Sequence, residues 1–326
     1  MDILMIGHSR SGKTSYMAGL YKQYGDKKDG IGIWTSDSSK RARLTKIANN
    51  ISKGIYPSGT DISSEYNFWL QINDKLIIPF NWYDYRGGAL SENSKSSRDA
   101  KNLIDRIERA DALIVFLDGE KIVSETDDEL EDDYEILMWA IQKAMANKHI
   151  DNYFPISFVI TKGDMYSDYS PLYNSDGLQF FMPLFDNIKN GNTAAGMISV
   201  CEVAKSGIYN IFPPLLFSLY YGMPDYIQRQ KSEYNSEIES CNRKIEQLNE
   251  LIPTYTGHAL VAIWNALTDD NHQSQLDKHR EMKRKIEKQI EEIQDKKKKL
   301  AYLDSLKDDM KEALDSFVEK DIIMAF

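Results

Sequence analysis

Cysteine is scarce in this chain of 326 residues: Cys201 and Cys241 are the only two, and their separation matches no metal-ligand spacing. They read as reduced residues of an intracellular protein, and no metal cluster is expected from them. Long hydrophobic runs are also missing. No stretch of 18 or more apolar residues and no signal peptide is visible, so a soluble, cytoplasmic protein is expected. Positive charge is not in excess either. The formal net charge of −10, with a strongly acidic run from Glu125 to Glu135, gives no general attraction to nucleic acid or anionic lipid. No Ser/His/Asp arrangement and no pair of catalytic carboxylates stands out. What remains is 42% apolar and 28% charged residues, enough for one sizeable α/β domain plus an appendage.

Gly7-His8-Ser9-Arg10-Ser11-Gly12-Lys13-Thr14 fits G-x-x-x-x-G-K-[ST], the P-loop pattern. The apolar run Ile3–Ile6 precedes it, and Ser15 to Tyr21 follows with apolar residues at helical spacing. Strand, loop and helix in that order aim a helix N-terminus at phosphate groups. Backbone N–H groups from Gly7 through Ser15 would cradle the phosphates, with Ser9, Arg10, Ser11 and Gly12 forming the loop. Lys13 would add positive charge, and Thr14 would offer a hydroxyl to Mg²⁺. His8 reads as a packing or hydrogen-bonding side chain.

Strand-like runs recur at Ile3–Ile6, Tyr66–Ile72, Leu76–Tyr83, Ala112–Leu117, Ile156–Ile160 and Met197–Val200. Helical periodicity fills the gaps, with Leu103, Ile104 and Ile107 on one face and Ile136, Leu137, Ile141 and Met145 on another. Alternating β and α predicts a mainly parallel sheet covered on both faces. Tyr66–Ile72 and Leu76–Tyr83, joined by Asn73-Asp74-Lys75, read as a hairpin that adds one antiparallel edge strand. Near Tyr221-Gly222-Met223-Pro224 the composition turns to Lys, Glu, Gln and Asp. A heptad seam then runs through Ile227, Lys231, Tyr234, Ile238, Cys241, Ile245, Leu248 and Ile252. A second passes through Leu276, His279, Lys283, Ile286, Ile290, Ile293, Lys297 and Leu300. These predict a domain over 1–224 and an antiparallel coiled-coil hairpin over 225–326, with part of 301–326 packing back on the domain or on a partner. The lysines at 296–299 read as a solvated face.

Two further motifs carry chemistry. Asp84-Tyr85-Arg86-Gly87 ends an apolar strand as D-x-x-G; in a nucleotide hydrolase Asp84 would hold Mg²⁺, usually through water, and the Gly87 N–H would sense a γ-phosphate. Thr161-Lys162-Gly163-Asp164 selects the base. A carboxylate at Asp164 can accept from the ring N–H and the exocyclic amine of guanine, a donor pair that adenine lacks. The stem of Lys162 can lie along the purine face.

Together the three motifs resemble the translation-factor-like (TRAFAC) class of P-loop GTPases over roughly residues 1–220, which implies an α/β three-layer sandwich. Gly54-Ile55-Tyr56-Pro57-Ser58-Gly59-Thr60 resembles the switch approach of bacterial double-GTPase or conflict-system GTPases. The resemblance implies that Thr60 binds Mg²⁺ and the γ-phosphate in the GTP state. Where small GTPases place a water-orienting glutamine, this chain has Gly88, which implies slow intrinsic hydrolysis. Arg10 stands where guanylate-binding proteins carry an arginine finger in cis, with Arg86 a weaker candidate. Ser199-Val200-Cys201-Glu202 lies where family members often have S-A, and it receives no base contact.

The expectation is therefore a GTP-binding protein that hydrolyses GTP to GDP with Mg²⁺ and whose nucleotide state is coupled to the helical hairpin. Its partners would be guanine nucleotide and a protein, or a second copy, met through that hairpin; nucleic acid is not expected and membrane contact is disfavoured. A dimerising guanylate-binding-like enzyme using Arg10 and a non-hydrolysing adaptor are the alternatives. The apolar segment 259–267 would lie about 40 Å from the GTPase core at 1.5 Å per residue, either as a partner or membrane contact or as core after folding back.

Overall fold

The structure is a computed structural model that describes residues 1–28, 30–58, 64–72, 75–85, 98–148, 153–184, 186, 194–265, 281, 283–299, 301–302 and 305. These residues fall into two compact units, one within Met1–Tyr226 and the other within Ile227–Lys307.

The centre of the first unit is written in its most apolar segments. β1 (Asp2–Ile6), β5 (Ala112–Asp118) and β6 (Phe154–Thr161) are buried almost throughout, as strands covered on both faces must be. Around them lie β2 (Ile31–Trp34), β3 (Ser64–Ile72), β4 (Lys75–Asp84) and β7 (Ala194–Val200), in the order β2-β3-β4-β1-β5-β6-β7. β4, β1, β5, β6 and β7 are mutually parallel. The expected hairpin of β3 and β4 forms, but β3 is not the edge. β2 pairs antiparallel with it, Ile31 opposite Ile72 and Trp34 opposite Trp69, and takes the edge position.

Side chains alternate between the two faces with the period of two that strands impose. Leu4, Ile6, Leu113, Val115 and Leu117 join one core with Leu103 and Ile107 of α3 (Arg98–Arg109) and Leu137 and Ile141 of α5 (Asp127–Asn147). On the other face Tyr16 of α1 (Lys13–Tyr24) stands edge-on against Phe116, at 5.1 Å, and Trp82, at 5.8 Å. α2 (Ser38–Ile51) buries Leu44, Ala48 and Ile51 and begins at Asp37, whose carboxylate accepts from the N–H groups of Ser39 and Lys40. β2 and α2 lie between α1 and β3, in a stretch outside the strand-like runs expected from the sequence. The chain leaves β1 towards β4 on one side and continues from β4 to β5 on the other, so β1 marks the point where strand order reverses. Ligands of open α/β sheets bind at the C-terminal ends of the strands there.

Helices α4 (Gly119–Ser124), α6 (Ser170–Tyr173) and α7 (Asp176–Phe180) are short. β8 (Glu202–Val203) and β9 (Ile208–Tyr209) form a small hairpin. α8 runs from Pro213 to Asn265, through Pro224 where the composition changes. Its first turns bury Phe217 against Ala195 and Met197.

In the second unit, the exposure of α8 follows the predicted seam: Ile227 and Cys241 are buried and Lys231, Tyr234, Ile238 and Ile245 half-buried. A helix over 283–299 meets it in antiparallel order. The Cys241 thiol donates to Glu292, Glu237 pairs with Lys296 at 3.2 Å, and the Lys299 ammonium lies 5.9 Å from the Tyr234 ring centre. The inward stripe of this second helix differs from the predicted seam. It comprises Ile286, Gln289, Glu292, Ile293 and Lys296, while Ile290 is 42% exposed. Three long polar side chains take inward places, with apolar stems able to cover the interface. Lys296 is thus no solvated residue. The backbone of 259–265 is helical within α8; residues 266–267, and most of 301–326, lie outside the described residues.

Candidate functional site

The loop after β1 is shaped by its backbone. Gly12, just before α1, has φ 86°, and a Cβ there would stand 2.9 Å from the Thr161 methyl carbon. Glycine meets both the left-handed conformation and the close approach. Arg10 also has a positive φ, 68°, which costs a branched or long side chain about 1 kcal/mol and is held by the loop around it. α1 then starts with no side-chain cap, leaving its first N–H groups directed at the space above the loop.

Lys13 is buried, and its ammonium donates to the carbonyls of Gly7 at 2.6 Å and His8 at 2.8 Å, bracing the loop from inside. Burial lowers its pKa to about 8, with the Asp84 carboxylate opposing that shift. His8 is buried edge-on against Tyr134, centroids 5.0 Å apart, as a packing residue would be. Thr161 ties the loop to the sheet: its hydroxyl lies 3.1 Å from the Ser11 carbonyl and 3.2 Å from that of Leu117.

At the end of β4, Asp84 is 3% exposed, and its Oδ2 accepts from the Thr14 hydroxyl at 3.4 Å. Its Oδ1 is buried with no hydrogen-bond partner among the described residues. Burial raises the Asp84 pKa, and neighbouring Lys13 pulls it back down. A buried carboxylate oxygen without a donor, beside a hydroxyl, suits a hard divalent cation such as Mg²⁺, directly or through water. Thr14 and Asp84 are the residues here that would hold it. Thr60 and Gly87, with Arg86 and Gly88, lie outside the described residues.

Lys162 takes the left-handed conformation, φ 59°, and starts a 3-10 turn over Gly163–Met165. Its ammonium bonds Asp118 at 2.7 Å and Glu120 at 2.9 Å. Burial works against its charge, but the hydrogen bonds to the two carboxylates outweigh it and raise the pKa. The amine is therefore anchored, leaving only the stem for contact with a ligand. Asp164 is exposed.

These groups meet around one cavity of about 400 Å³. Ser9, Arg10, Ser11, Gly12, Lys13, Thr14 and Ser15 line it with Thr161, which touches the loop at Ser11 and Gly12, and Lys162 and Asp164 continue the wall beyond Thr161; Gly7 enters through its carbonyl. The size suits a single nucleotide-sized ligand. Sequence reasoning misses part of the wall. Tyr56, Pro57 and Ser58 line it from the segment before Thr60, and Cys201 and Val203 line it from the segment given no base contact. Burial and then the Asp164 charge raise the Tyr56 pKa. Asp118-Gly119, closing an apolar strand, is the one signal in the sequence for the anchor of Lys162.

Fold and loop define a P-loop α/β protein. Residues 4–150 match the family model described as Double-GTPase 1, so this part of the chain is similar to double-GTPase-type P-loop proteins, and the match supports GTP binding and hydrolysis in general. No curated protein matches the chain. Among solved structures, one similar to it is titled a signal recognition particle receptor SRb-GTP/SRX complex from Chaetomium thermophilum, 13% identical, covering 62% of this chain and 90% of that one at a TM-score of 0.36. Another is a mutant S. thermophilus NFeoB bound to GDP, 14% identical, covering 94% and 97% at 0.32. No helix among the described residues is long and apolar enough to cross a membrane.

Proposed function

We propose that the chain is a guanine-nucleotide hydrolase that converts GTP to GDP slowly and whose nucleotide state acts on its C-terminal helices. The observation that carries this reading is the single cavity with Lys13 and Thr14 at one end and Asp164 at the other. The loop amides and Lys13 hold the phosphates, and Asp164 accepts from guanine. Thr14 and Asp84 would hold Mg²⁺, with Thr60 reporting the γ-phosphate. When bound, Mg²⁺ would supply charge neutralisation for the phosphates. The chain's own part is to fix the phosphates against the α1 N-terminus and to orient the base. Gly88 offers no side chain to orient water, which is why turnover is slow.

Arg10 carries the second reading. It lines the phosphate end of the cavity on a loop that fixes its backbone, and a dimerising enzyme would use it as a finger in cis. The helices over 213–265 and 283–299 serve as the surface for a protein partner or a second copy. The test is to measure affinities for GTP, GDP and ATP with wild type and Asp164→Asn. Wild type should prefer guanine nucleotides by at least tenfold and the variant should lose most of that preference; an unchanged preference in Asp164→Asn refutes the base assignment.

A further inference from the structure

Asp164, exposed on a three-residue 3-10 turn, has little local support for a residue that must meet two donors at fixed distance. Its position is set by remote contacts. Lys162 is anchored to Asp118 and Glu120. The chain on both sides of Asp164 is also fastened to the segment after β7, before it at Ile160 and Gly163 and after it at Tyr169. The Cys201 N–H donates to the Ile160 carbonyl at 2.8 Å and the Gly163 N–H donates to the Cys201 carbonyl at 3.4 Å. The Tyr169 hydroxyl donates to Glu202 at 2.5 Å, across 33 residues of sequence.

That last contact is short and charge-assisted, the stronger class of hydrogen bond. Burial first, and then the Glu202 carboxylate, push the Tyr169 pKa far above the usual tyrosine range, so the hydroxyl stays a donor. The two segments also touch closely. A Cβ on Gly163 would stand 2.8 Å from Val200 Cγ1 and 3.0 Å from Glu202 Cγ. Cys201 and Val203, the neighbours of Glu202, line the same cavity as Asp164.

We infer that Tyr169 and Glu202 are a positioning pair for base recognition. Their hydrogen bond clamps the turn bearing Asp164 to the Cys201–Val203 wall and so sets guanine selectivity and the rate of nucleotide release. The inference rests on the assignment of Asp164 as base reader. Neither residue touches the phosphate end, where Lys13, Thr14 and Thr161 have their own contacts. Loss of the clamp should therefore weaken base-dependent binding and spare phosphate-dependent binding.

The test uses the full chain with mant-GDP, ADP and inorganic tripolyphosphate as probes. Tyr169→Phe should release mant-GDP about five- to tenfold faster, the worth of one good hydrogen bond, and narrow the GDP/ADP affinity ratio while competition by tripolyphosphate stays unchanged. Glu202→Gln keeps an acceptor but loses the charge and should fall between wild type and Tyr169→Phe, whereas Glu202→Ala should match Tyr169→Phe. The double variant Tyr169→Phe/Glu202→Ala should be no worse than either single change. A GDP/ADP ratio that survives Tyr169→Phe overturns the proposal, as does an equal loss for tripolyphosphate. A wild-type protein without guanine preference sinks the Asp164 reading and this one with it, a failure visible before any variant is made.

Discussion

The two ends of the cavity are built differently. At the phosphate end the recognising groups are buried and local: Lys13 bonds carbonyls five and six residues away, and the loop's positive φ angles fix where its amides point. At the base end the recognising carboxylate is exposed, and its turn is held by partners 33 to 44 residues distant in sequence, Asp118, Glu120 and Glu202. The phosphate end is preorganised by backbone, which a single side-chain change alters little in shape. The base end is preorganised by side-chain pairs, each of which can be cut separately.

Four substitutions would sharpen or break this contrast. The largest effect is expected from Arg10→Ala in the dimerising reading: kcat should fall about 10³-fold with mant-GDP affinity nearly unchanged, and GTPase activity per molecule should rise with protein concentration in wild type. A flat specific activity, insensitive to Arg10, removes that reading. Next is Lys13→Ala, expected to weaken mant-GDP about 100-fold through loss of a buried charge-assisted contact. The pH dependence follows from the lowered pKa. The amine is charged below about 8 and neutral above it, so wild-type affinity should hold below that pH and decline above. The ligand-free fold responds with the opposite sign, because the unfolded chain keeps the Lys13 proton longer; stability gains from this group as pH rises from about 8 towards 10.5. Titrating both against Lys13→Ala separates them.

Asp84→Asn should weaken the Mg²⁺ dependence of mant-GTP binding by about tenfold, read by titrating Mg²⁺ at fixed nucleotide; an unshifted titration would take Asp84 out of the metal site. The smallest effect is expected at the base end from Gly163→Ala. Its new Cβ meets Val200 and the flexible Glu202 stem, so a few tenths of an ångström of displacement should speed mant-GDP release about threefold. If Gly163→Ala instead abolishes binding, the base end is as rigid as the phosphate end and the contrast fails.

The difference between the ends also governs what can be read from the sequence. Gly7 to Thr14 is legible because contiguous residues set contiguous backbone geometry, and the parallel strands are legible because burial on both faces leaves uninterrupted apolar runs. The same logic matches the exposure of α8 from Ile227 to Ile245. It fails for the second helix, where Gln289 and Lys296 lie inward by virtue of their stems, which a polar label conceals. β2 is only four residues long and the helix after it buries just Leu44, Ala48 and Ile51, a signal too sparse to mark either element. The supports of Lys162 and Asp164 are pairings across the fold. Nothing in the spacing of Tyr169 and Glu202 announces that they touch.

The mirrored contacts between α8 and the 283–299 helix have a consequence for how that unit responds to its medium. Glu237 with Lys296 and Tyr234 with Lys299 put part of the cross-helix attraction into charge, beside the buried Cys241 and Ile293; Glu237 is 56% and Lys299 52% exposed at the side chain. Ions screen such contacts over about 8 Å at physiological salt, while they barely reach a core like that around β1. Ionic strength is therefore a dial that loosens the grip of one helix on the other and leaves the sheet as it was.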